Sequence, residues 1–499
     1  MAIEDQTSAA PIPTPTATTA ATTSAPVRSR LRGNLGVASI VFMVVAAASP
    51  LGVIGGPVPL GIAIGNGTGF PFTFVIATVV LLLFAVGFTT MTPYVKSAGA
   101  FYSYVDRSLG RAAGLGTGFA ALLSYITLEA AVFGLIGPGV QSLLGSYGVP
   151  SIPWWIYAAV AFGVVVFLGY RNIELSGRVL AVLLVAEVLI VLVLDAVIVF
   201  GGNTPEGLST GIVSPSAILS GAPGIGILFA ILSFIGFEAT AVFRDEARDP
   251  DRTIPRATYL SLILIGVFYA VSSWALISAV GDSKAVKTAT DHGGTLLADV
   301  TQKYLGTVGE HIIQVLFVTS LFACILSFHN IVSRYVFTLS GRAALPQRLG
   351  HAHARLGSPH RASVATGVVV GVLLLAGVVT GLDPINQFYT WLAGFSSVGI
   401  VLLLGITSVA VLVFFGRNRG TGVSLWRRAI APALGLAGLL LFLVLILQNL
   451  PTLVGGSVPL AVGIVVLLLA AFALGPVVAR VRAHAGVAPE DAAVDDAQD

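Results

Sequence analysis

Four acidic side chains lie inside long apolar stretches of this 499-residue chain, at Glu129, Glu187, Asp195 and Glu238. A charged side chain at the centre of a bilayer costs about 2.5–3.5 kcal/mol even on the mildest insertion scale. We therefore expect these carboxyl groups to face the interior of a helix bundle, where they are neutral or paired. Acids in that setting mark proton or substrate pathways, so the chemistry they predict is the binding of protons or amines.

Glu238 marks one of two interrupted helices. It is the fifteenth residue of the otherwise uncharged run GIGILFAILSFIGFEATAVF (224–243) and follows Gly236 by two positions. Because glycine weakens a helix, the chain can break there, and the glutamate supplies an acceptor for the amides that the break frees. Two roles remain open for Glu238: contact with a substrate or coupled proton, and simple capping of the break.

The other interruption is SPLGVIGGPVP (49–59), which places three prolines and three glycines inside an apolar run. Proline removes a backbone donor. The two breaks are five predicted spans apart, and such a matched pair is the best sequence pointer to a transporter site. Freed amides and carbonyls at helix ends bind the charged groups of a substrate. We predict a binding site formed by Ser49, Pro50, Leu51, Gly52, Val53, Phe234, Ile235, Gly236 and Glu238.

Membrane helices must carry these residues. Hydrophobic residues make up 56% of the chain and charged residues 10%, and the mean hydropathy is +0.94, unlike a soluble domain. Apolar runs long enough to cross the bilayer recur without strand-type alternation. We therefore predict an all-α polytopic membrane protein. The twelve predicted spans lie near 36–64, 71–92, 116–141, 153–169, 178–200, 222–243, 256–280, 311–340, 362–380, 386–415, 428–448 and 457–479.

The basic residues predict the orientation. With the N-terminus inside, 23 of the 26 lysines and arginines fall at cytoplasmic ends and loops, in accord with the positive-inside rule. Residues 1–34 are predicted to be a disordered cytoplasmic tail, and 481–499 an acidic cytoplasmic tail. No cleaved signal peptide is indicated. We predict a multi-pass protein of the bacterial cytoplasmic membrane with both termini inside.

Other functional classes find little support. The single cysteine, Cys324, gives neither a disulfide framework nor a thiol metal cluster. The chain has no P-loop, dinucleotide fingerprint or nucleic-acid module, and no nucleophile–base pair at membrane depth. We expect no enzyme activity, no metal, no cofactor and no nucleic-acid partner.

Three segments carry a family resemblance. GFEATAVFRDEARDPDRTIPRA (236–257) resembles the sixth-span signature of the amino acid–polyamine–organocation (APC) superfamily. SFHNIVSRYVFTLSGRAALPQRLGHAHARLGSPHRAS (327–363) resembles the end of span eight and the following loop, and KSAGAFYSYVDRSLG (96–110) resembles the loop before span three. The resemblance implies a LeuT-type fold that works by alternating access. Its parts would be one five-helix repeat at 35–200, an inverted one at 222–415, and two further helices at 427–480.

Two positions depart from the usual family pattern. The first break reads ASPLGVIGG, closer to the variant of putrescine-importer-like relatives than to Gly-Ser-Gly. Glu187 stands where many members carry a lysine midway along span five. It is either a titratable group that engages the backbone of span one and a hydroxyl of span eight, Thr319 or Ser320, or a permanently protonated hydrogen-bonding group. Our hypothesis is that Glu187 carries a coupling proton.

The remaining candidates come from other spans. Glu129, one turn after Tyr125 on span three, is either an acceptor for a substrate amine or a polar contact between helices. Asp195 either extends towards the outer surface or lines an entrance. The aromatic residues that could gate the site are Tyr125, Phe234, Phe237 and Tyr389. In the family this gate falls near the start of the second break, where the chain has Leu232.

These observations predict a secondary active transporter of amino acids or related amines, driven by protons or by exchange. The predicted partners are the bilayer, a small amino compound and protons. An amine-specific importer, an exchanger and a sensor that does not transport remain alternatives. A channel and an intramembrane enzyme are rivals from other classes.

Overall fold

The computed structural model describes residues 35–95, 100–171, 177–238, 240, 247–341, 344–353 and 358–484. Parts of the three quoted motifs, the N-terminal tail and residues 485–499 lie outside these ranges. Within them the secondary structure is helical, and extended residues pair only at isolated bridges, Leu35 with Ala247 and Pro205 with Gly207. The expectation of an all-α chain is met in the described residues.

Seventeen α-helices can be numbered along the described chain. They are α1 Val37–Ala47, α2 Pro50–Gly55, α3 Pro57–Leu60, α4 Phe70–Met91, α5 Ala100–Leu109, α6 Arg111–Gly145, α7 Trp154–Arg171, α8 Gly177–Phe200, α9 Pro215–Ile218, α10 Pro223–Leu232, α11 Pro250–Val280, α12 Ala285–His292, α13 Leu296–Gly341, α14 His360–Val379, α15 Thr390–Arg417, α16 Ala431–Leu453 and α17 Val458–His484. Short π-helical turns at Gly61–Asn66, Pro384–Tyr389 and Trp426–Ile430 precede or connect some of them. Helix α13 bends at Gly306, where φ is +71°.

Eleven helical segments of the described chain are long and apolar enough to cross a membrane. They correspond to eleven of the twelve predicted spans. The sixth predicted span differs, because α10 is only ten residues long and ends at Leu232. Residue 239 and residues 241–246, in the second half of that span, lie outside the described residues. The twelve-helix, two-repeat arrangement therefore stays a prediction.

Helix α6 is the centre of the bundle. It packs against α5, α7, α13, α15 and α17, and its residues 114–137 are buried apart from Leu122 and Leu123. Helix α8 instead lies at the periphery, where it exposes Val182, Val185 and Leu189. Apolar side chains facing outwards on peripheral helices are typical of a protein whose solvent is lipid. The central position of α6 brings its side chains close to both predicted helix breaks.

Helices α6 and α17 approach backbone to backbone. A Cβ atom added to Gly475 of α17 would lie 2.0 Å from the amide nitrogen of Gly116 and 2.7 Å from the carbonyl oxygen of Ala112, both on α6. Small residues permit such close contact between membrane helices, where van der Waals packing replaces the hydrophobic effect as the main attraction. The absence of a side chain at Gly475 therefore allows α17 to pack directly against the backbone of α6.

We expect Gly475→Ala to separate α17 from α6 and to destabilise the protein by about 1–3 kcal/mol, the usual range for overpacking. The check is the apparent melting temperature of the purified protein in detergent, which should fall by several degrees. Gly463→Ala on the same helix is the matched control, since an added Cβ there meets no described atom within 4 Å. Equal melting temperatures for the two variants would contradict this account of the packing.

Candidate substrate and coupling site

The first helix break lies between α1 and α2. Ser49 connects them with φ at +50°, a left-handed conformation found at no other non-glycine residue of the described chain. Pro50 then starts α2 without needing an amide donor. The Ser49 hydroxyl is 2.8 Å from that of Ser320 on α13, and the Tyr269 hydroxyl of α11 donates to the carbonyl of Ala48 at 3.3 Å. The predicted break is therefore present, and side chains from two other helices contact it.

The second break follows α10. The chain turns over residues 233–238, with Gly236 at φ +114°. The Gly236 amide donates to Glu238 Oε2 at 2.9 Å, and the Tyr125 hydroxyl of α6 donates to Glu238 Oε1. Glu238 is only 4% exposed. Of its two predicted roles, capping the break is the one that this geometry displays directly.

The two breaks face each other across a small cavity of about 40 Å³. Gly236 also approaches Ala47 at the end of α1, where an added Cβ would lie 3.5 Å from the alanine side chain. The cavity is large enough for ordered water and far smaller than typical ligand pockets of about 300 Å³ or more. It is lined by Ala47, Ala48, Ser49, Gly52, Val53, Pro57, Leu128, Val132, Leu135, Leu232, Ile235, Leu321, Cys324, Phe328 and Tyr389.

Some of the predicted site residues line the cavity, and others do not. Those on the lining are Ser49, Gly52, Val53, Ile235 and Tyr389. Those absent from the lining are Pro50, Leu51, Tyr125, Glu129, Glu187, Phe234, Gly236 and Glu238. No described lining residue is acidic, so the carboxyl groups of Glu129, Glu187 and Glu238 do not line this cavity.

Several lining residues were not predicted from the sequence. Leu128, Val132 and Leu135 of α6 face the cavity, and their spacing of four and three residues is that of one helical face. That spacing is a signal that the sequence offered, but it does not say which face of α6 points inwards. Cys324 and Phe328 of α13, which also line the cavity, repeat the same four-residue spacing.

Glu187 of α8 lies on the other side of the first break. Its polar neighbours are the Ser320 hydroxyl and the backbone amide of Leu51, the partners that the sequence suggested. It also borders a smaller cavity of about 10 Å³ together with Ala46, Leu180, Leu183, Leu184, Thr319, Ser320 and Ala323. Its Oε2 atom has no hydrogen-bond partner in the described structure. Because Ser320 also contacts Ser49, a chain of polar groups runs from Glu187 to the cavity lining.

Glu129 is not on the lining of the cavity. Its Oε1 atom is 2.7 Å from Nδ1 of His329 on α13, and Nε2 of His329 is 2.9 Å from the hydroxyl of Ser363 on α14. All three side chains are buried. A Cβ on Gly169 of α7 would lie 2.8 Å from His329 Nε2, so four helices meet at this cluster. The alternative prediction for Glu129, a polar contact between helices, describes what is seen.

The other candidates are also buried and partnered. Asp195 is 5% exposed and accepts a hydrogen bond from Ser272 of α11 at 2.6 Å, so it does not extend to the surface. Phe234 packs against Phe74, with ring centroids 6.4 Å apart, and Phe237 packs against Phe84 at 6.1 Å. Among the four aromatic gate candidates, Tyr389 alone lines the cavity. The described residues contain no group of three or more His, Cys, Asp or Glu side chains arranged to hold a metal ion.

Comparison with known proteins identifies the family to which this sequence is similar. A sequence model described as "Amino acid permease" matches residues 40–479. The low-affinity putrescine importer PlaP of Escherichia coli (strain K12) is 23% identical over 370 residues, 72% of this chain and 78% of that protein. The uncharacterized transporter Rv1999c of Mycobacterium tuberculosis is 27% identical over 82% of this chain and 85% of its own length. The aromatic amino acid transport protein AroP of E. coli (strain K12) is 22% identical over 72% and 76%.

We expect Tyr125→Phe to leave one oxygen of the buried Glu238 without its donor, at a cost of about 1–3 kcal/mol. Thermal unfolding of the purified protein, which needs no knowledge of the substrate, measures the effect. Tyr335→Phe is the matched control, because the Tyr335 ring lies 5.7 Å from that of Tyr125 and its buried hydroxyl has no hydrogen-bond partner in the described structure. If both variants lose the same stability, the Tyr125–Glu238 hydrogen bond does not support the break.

Proposed function

The chain belongs to the amino acid permease family, and from that premise we propose that it is a secondary active transporter of a small amino acid, coupled to protons and working by alternating access. The observation that carries this proposal is the position of the cavity, which lies between two helix breaks and connects to a buried carboxyl group through two hydroxyls. The eleven apolar helical segments make it a multi-pass membrane protein. We place it in the bacterial cytoplasmic membrane with both termini inside, in accord with the distribution of basic residues.

We place the substrate in the cavity between the breaks. The charged ends of an amino acid need polar partners there. We propose that backbone amides and carbonyls around Ser49–Val53, where α2 begins, and around Phe234–Glu238, in the turn after α10, supply them. The cavity must widen to admit such a molecule. Under alternating access the cavity can widen, because the helices around a central site move relative to one another during the cycle.

The lining favours an amino acid with an uncharged, apolar side chain. Its walls are built from Ala, Val, Leu, Ile, Pro, Phe and Cys side chains, with one serine and one tyrosine as polar groups, and its described lining has no acid. A diamine carries two ammonium groups, and burying a charge without a partner is costly. PlaP is a putrescine importer by name, so a diamine is the second candidate. The carboxyl groups of Glu129, Glu187 and Glu238 would have to turn towards the cavity to receive it.

Glu187 is the group to which we assign the coupling proton. Protonated, it is neutral and can donate a hydrogen bond. Deprotonated, it can accept from the Ser320 hydroxyl and the Leu51 amide, its neighbours in this conformation. Leu51 belongs to α2, which must shift if the cavity opens. A shift of α2 therefore changes the partners of Glu187, and with them the stability of its charged form.

We expect Glu187→Gln to abolish uphill uptake while substrate exchange persists. The assay uses purified protein in liposomes, labelled substrate outside and an imposed inward proton gradient. One proton coupled across a gradient of one pH unit supports about tenfold accumulation, which glutamine cannot carry because it does not titrate. Counterflow with substrate on both sides tests whether binding and translocation survive.

Asp195→Asn is the matched control for that experiment. Asp195 is on the same helix and equally buried, but its partner is Ser272 rather than α2, so uphill uptake should remain. Gradient-driven uptake that persists in Glu187→Gln would remove Glu187 from the mechanism. Uptake by the unmodified protein only in the presence of internal substrate would indicate an exchanger, and binding without flux would indicate a sensor. Non-saturating flux without counterflow would indicate a channel.

Competition in the same liposomes tests the substrate class. We expect unlabelled neutral amino acids with apolar side chains to reduce uptake, and putrescine to have little effect, because the cavity lining offers no acid to a second ammonium group. Lysine is an informative control, since it keeps the amino acid core and adds a distant charge. Strong competition by putrescine together with none by apolar amino acids would favour the diamine instead.

A further inference from the structure

A second, larger cavity lies at one end of the bundle. Its volume is about 340 Å³, within the range of small-molecule pockets. Its walls come from the ends of three segments: Tyr94 after α4, Arg107 and Ser108 at the end of α5, and Phe414, Arg417 and Asn418 at the end of α15. The positive-inside rule predicts this end to be cytoplasmic. The cavity is separate from the one between the helix breaks.

The walls of this cavity carry positive charge. Two guanidinium groups contribute to it, and none of its described lining residues is acidic. Asp106, the acid next to Arg107 in sequence, is not on the lining; it lies beside Gly114 of α6, where an added Cβ would be 3.0 Å from its Oδ1. A guanidinium group offers a planar fork of donors that matches a phosphate group. The chemistry of the cavity therefore suits a phosphate ester.

The protein also holds the walls in place. Nη1 of Arg417 donates to the carbonyl of Ser108 at 2.9 Å, which fixes the guanidinium between α15 and α5 and leaves its other donors available. The ring of Tyr94 packs against Phe414 and Phe415, with centroids 5.3 and 5.9 Å apart. One arginine and the aromatic wall are thus positioned before any ligand arrives, which lowers the entropic cost of binding.

The surroundings of the cavity indicate the depth of the lipid headgroups. The connection from α15 to α16 exposes Leu425 and Trp426, followed by Arg427 and Arg428. Its π-helical turn, Trp426–Ile430, contacts both α4 and α15. Exposed tryptophan beside arginine is typical of the interface between membrane and water. Anionic lipids are concentrated at that depth, and basic pockets between membrane helices bind their headgroups.

We propose that the Arg107–Arg417 cavity binds the phosphate group of an anionic phospholipid. The two guanidinium groups hold the phosphate oxygens, and the Tyr94, Ser108 and Asn418 side chains complete a polar rim. The lipid bridges the ends of α5 and α15, which belong to different predicted repeats. This site does not depend on the substrate or on proton coupling.

The test measures lipid binding by the purified full-length protein, so it is independent of transport. Native mass spectrometry with phosphatidylglycerol and phosphatidylcholine compares the unmodified protein with Arg107→Gln and with the double variant Arg107→Gln/Arg417→Gln. We expect the unmodified protein to prefer phosphatidylglycerol, and the double variant to lose about tenfold or more in affinity for it, because each basic contact near the surface contributes severalfold. Arg107→Gln keeps the Arg417–Ser108 hydrogen bond, so its smaller loss is measurable even if the double variant folds poorly.

Two controls separate this proposal from its rivals. Arg171→Gln removes a basic residue at the end of α7, where the guanidinium lies 5.6 Å from the centre of the Phe167 ring. Arg171 lines none of the three cavities described above, so this variant should retain lipid binding. An equal loss in Arg171→Gln would mean that net charge alone attracts the lipid and would overturn the site. If added inorganic phosphate does not displace the lipid, the result supports the lipid headgroup as the ligand. Phosphate that binds alone at this cavity and excludes the lipid would assign the site to a soluble anion.

Discussion

A backbone group without a hydrogen-bond partner is expensive inside a membrane, because no water is at hand to replace the lost contact. Both helix breaks of this protein create such groups, and side chains from elsewhere in the fold supply the partners. Glu238 accepts from the Gly236 amide, and Tyr269 donates to the Ala48 carbonyl. Glu238 in turn needs Tyr125 on α6 as a donor. The central helices are thus tied to the breaks by the requirement that unwound backbone be satisfied.

The four buried acids differ in the hydrogen-bond partners that they have. Glu238 closes a break, and Asp195 pairs with a serine of a neighbouring helix. Glu129 and Glu187 each keep one oxygen without a partner in the described structure. They differ in where they act, since Glu129 joins a histidine at the meeting point of four helices, whereas Glu187 adjoins the segment that changes direction at Ser49. Buried carboxyl groups of the same kind therefore have different surroundings, one between packed helices and the other beside the first helix break.

The sequence predicted local features well. Among distant contacts it suggested the partners of Glu187, through the family resemblance, but it missed the other pairings. Gly236 and the prolines after Ser49 marked both breaks, because backbone flexibility and a missing amide are properties of the residues themselves. The contact of Glu129 with His329 spans 200 positions, and that of Ser49 with Ser320 spans 271. Such contacts depend on how each helix is rotated about its axis. In a helix as buried as α6, apolar periodicity gives no sign of that rotation, so the sequence left Glu129 open between a substrate contact and a contact between helices, and could not name His329 as its neighbour.

The cavity lining includes Cys324, the only cysteine of the chain. A thiol in this position can be alkylated only by a reagent that reaches the centre of the protein. Membrane-impermeant thiol reagents applied from one face of the bilayer or the other would therefore report towards which side the cavity is open, with no engineered label. If the cavity opens to the two sides in turn, as proposed, the reactivity of this natural cysteine should follow the change.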